Sequence, residues 1–191
     1  MNTFDFIQNI INDAIEDSPQ NLLEKSGASN LAGTVPDGGE FIFCGIPFIR
    51  LGEEQGGILC ITKQNIFRSI FNNRDNNDYR ESIVRYKILE DFLPLLNRDE
   101  LLPFEMNLTS VVESSQGYGG CTDYVGILTD ELFIKYEQYI STNDRTWLCT
   151  PYSLNVNYKF VDYVMEGCRI GTNYADLEFW CRPACIFKKS S

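Results

Sequence analysis

The chain has 191 residues, 43% of them hydrophobic, and 16 Lys and Arg against 27 Asp and Glu give a formal charge of −11. That length suits one domain with an appendage and is short for two. The charge and the scattered cations argue against nucleic-acid partners and anionic membrane surfaces, and no apolar run approaches the ~20 residues that span a bilayer, so membrane insertion is not expected.

Residues 3–16, TFDFIQNIINDAIE, repeat apolar residues at Phe4, Ile7, Ile11 and Ala14, the stripe of an amphipathic helix. The stretch around it has no basic region, apolar core or small-residue cleavage site, so no signal peptide is expected and synthesis in the cytoplasm is. A second short helix follows, with Ser18 as cap, Pro19 in its first turn and Gly27 as its stop, and then a Gly/Pro/Asn-rich linker. Residues 1–37 therefore read as a helical arm and linker, and residues 38–191 as the folded domain. The face formed by Phe4, Ile7 and Ile11 is the expected contact for a protein partner; packing on its own domain is the alternative.

From Glu40 the pattern becomes that of strands: EFIFCGIPFIRLG, a turn at EEQGG, then GILCITKQNIF. NNRDNNDYRES reads as a polar loop, and ESIVRYKILEDFLPLL as a helix ending near Pro94. LLPFEMNLTSVV is extended, SSQGYGG a flexible loop without phosphate-binding context, and CTDYVGIL a short strand. TDELFIKYEQYI reads as a helix opened by Thr129, with Asp130 and Glu131 in its first turn. Short strands fill the remainder to Phe187. Two helices among short antiparallel strands make the domain α+β.

Histidine is absent, which removes Ser-His and Cys-His activation and every His-ligated metal site. The seven cysteines contain no C-x-x-C and are odd in number, which fits buried, reduced thiols. The pair in EFWCRPACIF, Cys181 and Cys185, reads as part of a terminal strand. At ~3.3 Å per residue, four residues separate their α-carbons by about 13 Å, too far for a disulfide or a shared metal. Arg182, between Trp180 and Ala184, has to pair with a carboxylate or carbonyl among apolar neighbours, as a structural clamp; an anion contact is the alternative. The carboxylate pairs at Glu53, Glu90 and Asp99 lack calcium or glycosidase spacing, and no metal or cofactor is expected.

The order of these segments, with W-L-x-T-P at Trp147 to Pro151 and W-x-R-P-A at Trp180 to Ala184, resembles a bacterial and bacteriophage domain family of unassigned function. Its members carry a W-L-R-T/S-P segment and end in a V-R-P-A strand. The resemblance covers about residues 40 to 188, with Cys149 standing where the family has Arg. It implies a C-type-lectin-like fold, the fold of formylglycine-generating enzymes and of retroelement-diversified ligand-binding proteins, with Trp147, Pro151, Trp180, Arg182 and Pro183 in structural roles. In the ligand-binding relatives the segment before the final strand carries the binding face.

In this chain that segment is rich in Tyr, Asn and Asp, which supply rigid contact area and adaptable hydrogen bonds. The expected binding residues are Tyr152, Asn155, Asn157, Tyr158, Asp162, Tyr163, Asn173, Tyr174 and Asp176. The expected function is a non-catalytic recognition or assembly module with a protein or glycan ligand, oligomeric within an assembly, in a phage or phage-derived particle such as a tail, baseplate or fibre. The alternatives are a copper/thiol oxidase related to formylglycine-generating enzymes and a purely structural subunit of a particle.

Overall fold

Residues 40–62 turn back on themselves twice. Strands β1 (Glu40–Phe43), β2 (Ile46–Glu54) and β3 (Gly57–Thr62) form an antiparallel meander. Its two turns place Cys44 and Gly45, then Gln55 and Gly56, at positive φ, the combination whose twist matches paired strands. EFIFCGIPFIRLG is thus a hairpin rather than the single strand expected. Gly45 alone signalled the turn, and Cys44 adopts φ 51° beside it. This computed structural model describes residues 31–113, 116–155 and 159–189. The expected helical arm with Phe4, Ile7 and Ile11 lies outside the described residues, as do Asn157 and Tyr158.

The domain is α+β with mostly antiparallel strands. After β4 (Phe67–Ile70), the expected first helix is α1 (Ile83–Lys87), capped by the Ser82 hydroxyl accepting from the Arg85 N–H. It loosens into a π-turn over Ile88–Phe92 and closes in a 3-10 turn containing Pro94. Next come β5 (Leu101–Leu102), β6 (Phe104–Thr109), β7 (Gly117–Asp123) and β8 (Val125–Gly126). SSQGYGG was expected to be a loop, but Gly117–Gly120 belong to β7. The backbone of β6 runs so close that a Cβ at Gly117 would collide with the Leu108 carbonyl; glycine here serves close approach rather than flexibility.

Helix α2 (Asp130–Tyr136) starts as expected, with the Thr129 hydroxyl accepting from Leu132 N–H at 3.2 Å. The last strands are β9 (Thr146–Pro151), β10 (Phe160–Met165), β11 (Arg169–Tyr174), β12 (Glu178–Cys181) and β13 (Ala184–Phe187). One sheet has the order β1-β2-β3-β13-β5, with β8 also on β13; the other has β11-β10-β9-β12-β4; β6 and β7 pair separately.

EFWCRPACIF is therefore two strands in two sheets rather than one terminal strand. It changes sheet at Arg182-Pro183, because Pro183 has no N–H to continue the ladder. Its partner changes with it: β12 pairs β4 while β13 pairs β3, so a two-stranded ribbon bends from one sheet into the other. All four residues of β13 are buried, as a strand covered on both faces requires. Phe187 packs edge-on against Phe41, Phe43 and Phe48. In the other sheet Trp147 lies 4.4 Å from Phe179, and its indole N–H donates to the Ser69 carbonyl at 3.0 Å. Each such ring pair contributes roughly 0.5–1.5 kcal/mol beyond its buried area.

Candidate functional site

The Arg182 guanidinium fills the bend of the ribbon. Its nitrogens donate to the carbonyls of Thr62 at 2.7 Å, Lys63 at 2.8 Å and Ser141 at 2.9 Å. These are acceptors freed where strand pairing lapses, and three fixed carbonyls fit the planar fork of the side chain. Burial pulls its pKa down to about 10, which leaves it charged at neutral pH. Three of its five N–H donors are spent internally.

On the β12 side of the bend lies an open groove of about 610 Å³. The sheet register builds it. Trp180 stands opposite Arg68 of β4, whose guanidinium lies 5.7 Å from the indole ring and donates to the Glu178 carbonyl at 3.3 Å. The Trp180 N–H donates to the Arg145 carbonyl at 2.9 Å, which holds the approach to β9 against β12. The Arg145 guanidinium sits 5.6 Å from the Phe179 ring. Arg169 opens β11 just past a turn with Gly167 and Cys168 at positive φ. The Cys168 thiol donates to the Ile140 carbonyl at 3.0 Å and ties that turn down.

Arg68, Arg145 and Arg169 are exposed, and among the described residues no ion pair involves any of them. Asp144, Glu166 and Glu178 also line the groove. A second pocket of about 300 Å³, with Lys63, Asn65 and Arg182 in its wall, shares Asp144 and Trp180.

The residues expected to bind have other places. Asp162 and Tyr163 are 2% and 6% exposed, so they do not face outward; Tyr163 packs against Trp147 in the core and Asp162 meets Asp130. Tyr174 stacks on Phe160 at 4.7 Å and lies under Arg74, which also pairs with Asp176 at 3.8 Å. Asn173 turns back to accept from the Tyr174 N–H. Half-buried Tyr152 lies edge-on to Phe160. Asn155 donates to Glu113, whose carboxylate also accepts from the hydroxyls of Ser110 and Ser153 and from the Leu154 N–H. Those donors hold the Glu113 pKa down at about 2. None of the described members of the set lines the groove. The expected segment contributes instead through the tip of its hairpin, at Met165, Glu166, Gly167 and Arg169.

Asp162 meets Asp130, the first residue of α2, where the pairing of β10 with β9 slips between Val161 and Tyr163. Two carboxyls bond to each other only by sharing a proton. Burial first, and then the Asp130 hydrogen bond and charge, push the Asp162 pKa up to about 9. The Oδ1 oxygen of each residue is buried without a hydrogen-bond partner.

Five of the seven thiols are buried as expected; Cys44, at the turn after β1, is exposed and Cys168 is half-buried. Cys60, Cys149, Cys181 and Cys185 are fully buried, and burial raises the pKa of each; Cys121 is pushed up to about 11. Cys181 and Cys185 lie in different sheets, and the residue opposite Cys185 is Cys60 on β3. The groove thus offers guanidiniums, carboxylates and aromatic surface, a set suited to holding an anionic or polar ligand. Comparison with protein-family models, with curated proteins and with solved structures finds no match for this chain.

Proposed function

We propose that this protein is a non-catalytic recognition or assembly module of C-type-lectin-like fold, and that its ligand face is the groove around Trp180. One observation carries the reading: three exposed arginines, from β4, the approach to β9 and β11, line one groove and have no carboxylate partner among the described residues of a chain with charge −11. Cations left unpaired amid such an excess of acids are poised for something outside the chain. The floor below them is rigid, because Phe179, Trp147 and Tyr163 pack as one aromatic cluster, and a fixed floor lowers the entropic cost of binding.

The buried, protonated thiols support the non-catalytic side of the proposal, since a thiolate is the nucleophile and the metal ligand; the oxidase alternative draws no support from them. The particle setting and the docking arm rest on the resemblance and on the pattern of residues 3–16. A ligand array carrying saccharides, peptides and phosphorylated or sulfated small molecules tests the ligand face with the native chain and with the variants Trp180→Ala and Arg169→Glu. Retention of at least one ligand that both variants lose at least tenfold is the expected result. If every ligand is held equally by all three proteins, the groove is not the ligand face.

A further inference from the structure

We infer that β11 is a dimerisation edge, on which a second copy of this chain adds its own β11 antiparallel, with Thr172 on the two-fold axis. The inference goes beyond the groove reading, and Thr172 does not line the groove.

β11 is the outer strand of its sheet and pairs with β10. The Ala175 N–H donates to the Lys159 carbonyl at 3.2 Å, and strand bonds alternate from there. Asn173, Gly171 and Arg169 therefore bond to β10, while Ile170, Thr172 and Tyr174 turn their N–H and C=O groups outward. Tyr174 is met locally: its N–H donates to the Asn173 side chain, and its carbonyl accepts from the Leu177 N–H. The outward groups of Ile170 and Thr172 have no such partner among the described residues.

An open edge is a template for another strand, and the other edges are blunted. β5 and β8 have two residues each, and β1 and β4 have four. The Gln55 side chain blocks β6 by bonding both the N–H and the carbonyl of Glu105. β7 loses register with β6 and carries Gly119 at φ 81°. β11 runs six residues in unbroken register, with no proline and no charge after Arg169.

The occupant that fits is another β11. With Thr172 opposite Thr172, their N–H and C=O groups exchange bonds. Each Ile170 N–H then reaches the carbonyl of the opposing Tyr174, which has a second lone pair. One face aligns Thr172 with Thr172 and Ile170 with Tyr174, pairs that stabilise adjacent strands. Charge selects this register. Arg169, without a carboxylate partner among the described residues, comes opposite Ala175 and beside Asp176, which Arg74 holds at only 3.8 Å. Centring the two copies on Gly171 would instead set Asp176 against Glu166, like against like.

Sedimentation equilibrium of the full chain from micromolar to millimolar concentration tests the inference, at physiological salt so that repulsion between two copies of charge −11 is screened. The native chain should approach twice the monomer mass, reversibly. Thr172→Pro removes the outward N–H without breaking a bond to β10. Thr172→Lys keeps that N–H but sets two cations together on the axis. Each should weaken dimerisation at least tenfold, and because Thr172 is exposed, Thr172→Lys keeps the fold even where proline does not.

A native chain that stays monomeric throughout overturns the inference. So does a dimer that Thr172→Lys leaves as tight as before, which would move the interface to another surface such as the arm. The groove is tested separately, by the ligand array on the Thr172→Lys monomer: a ligand retained there keeps the groove reading whatever the dimer does, and its loss leaves the β11 edge standing.

Discussion

Arg182 and the groove arginines lie on either side of one bend in a β-ribbon, yet the protein treats them in opposite ways. Arg182 is 4% exposed and gives its donors to three backbone carbonyls. Arg145 and Arg169 are exposed, and no hydrogen bond from either guanidinium occurs within the described residues. A chain with 27 acidic residues has carboxylates to spare for all of them. It uses carbonyls at the bend because carbonyls are what the broken ladder leaves unpaired, and it leaves the groove cations open.

The sharpest way to break this contrast is Arg182→Leu. The substitution keeps an apolar side chain at the bend but strands the carbonyls of Thr62, Lys63 and Ser141. A buried acceptor left without its donor costs about 1–3 kcal/mol, so the loss should reach about 3 kcal/mol or more. Urea unfolding read by tryptophan fluorescence should show a much lower midpoint at an unchanged slope. A loss below about 1 kcal/mol would mean that the clamp is ornamental.

A smaller effect is expected from the second buried polar site, which is paired less completely. The folded-state pKa of Asp162 is raised to about 9 from an unfolded value near 4, so the folded state binds the extra proton between these limits. Its contribution to stability is fully present below about pH 4 and is lost as pH rises through about 9. Asp162→Asn removes the ionisation while its amide still donates to Asp130. The variant should gain in stability over the native chain as pH rises from about 5 to 8, and its stability should be flatter between pH 5 and 9. A parallel pH dependence in the two proteins would show that Asp162 does not carry the proton.

What could be read from the chain beforehand follows the range of the interactions. Thr129 marks its helix because capping is decided within three residues. The strand runs of GILCIT and TWLCTP are legible from their apolar and β-branched content, and both are wholly buried. The Cys44-Gly45 turn is hidden because cysteine is not a turn-forming residue. The sheet change at Arg182-Pro183 is hidden because Pro183 also fits one extended strand; only the separate partners β4 and β3 reveal two.

The groove is the least legible part. Arg68, Arg145 and Arg169 come to line it through the pairing of β12 with β4 and β9 and of β10 with β9 and β11, and no local pattern encodes that. Asp162 and Tyr163 misled because Tyr, Asn and Asp look alike in sequence whether they face a ligand or the core. The loop Asn77-Asp78-Tyr79 conceals the same ambiguity: Asn77 is fully buried, donating to the carbonyls of Ser153 and Phe160 while accepting from the Tyr118 hydroxyl.

The smallest expected effect decides what the groove arginines are. Arg169→Ala removes an exposed cation with no carboxylate partner among the described residues, so it should change stability by no more than about 0.5 kcal/mol in either direction, and Arg145→Ala, which also gives up its contact with the Phe179 ring, by no more than about 1 kcal/mol. Arg68→Ala also gives up the contact with Trp180 and the bond to the Glu178 carbonyl, so its cost should be slightly larger, about 0.5–1 kcal/mol. These shifts are measurable by the same urea titration, and their smallness is the result of interest. If Arg169→Ala cost as much as Arg182→Leu, the groove would be a second clamp with partners not yet counted. If the three substitutions leave the fold intact, any loss of ligand they cause is a loss of contact, and the difference between the two sides of the bend is one of function.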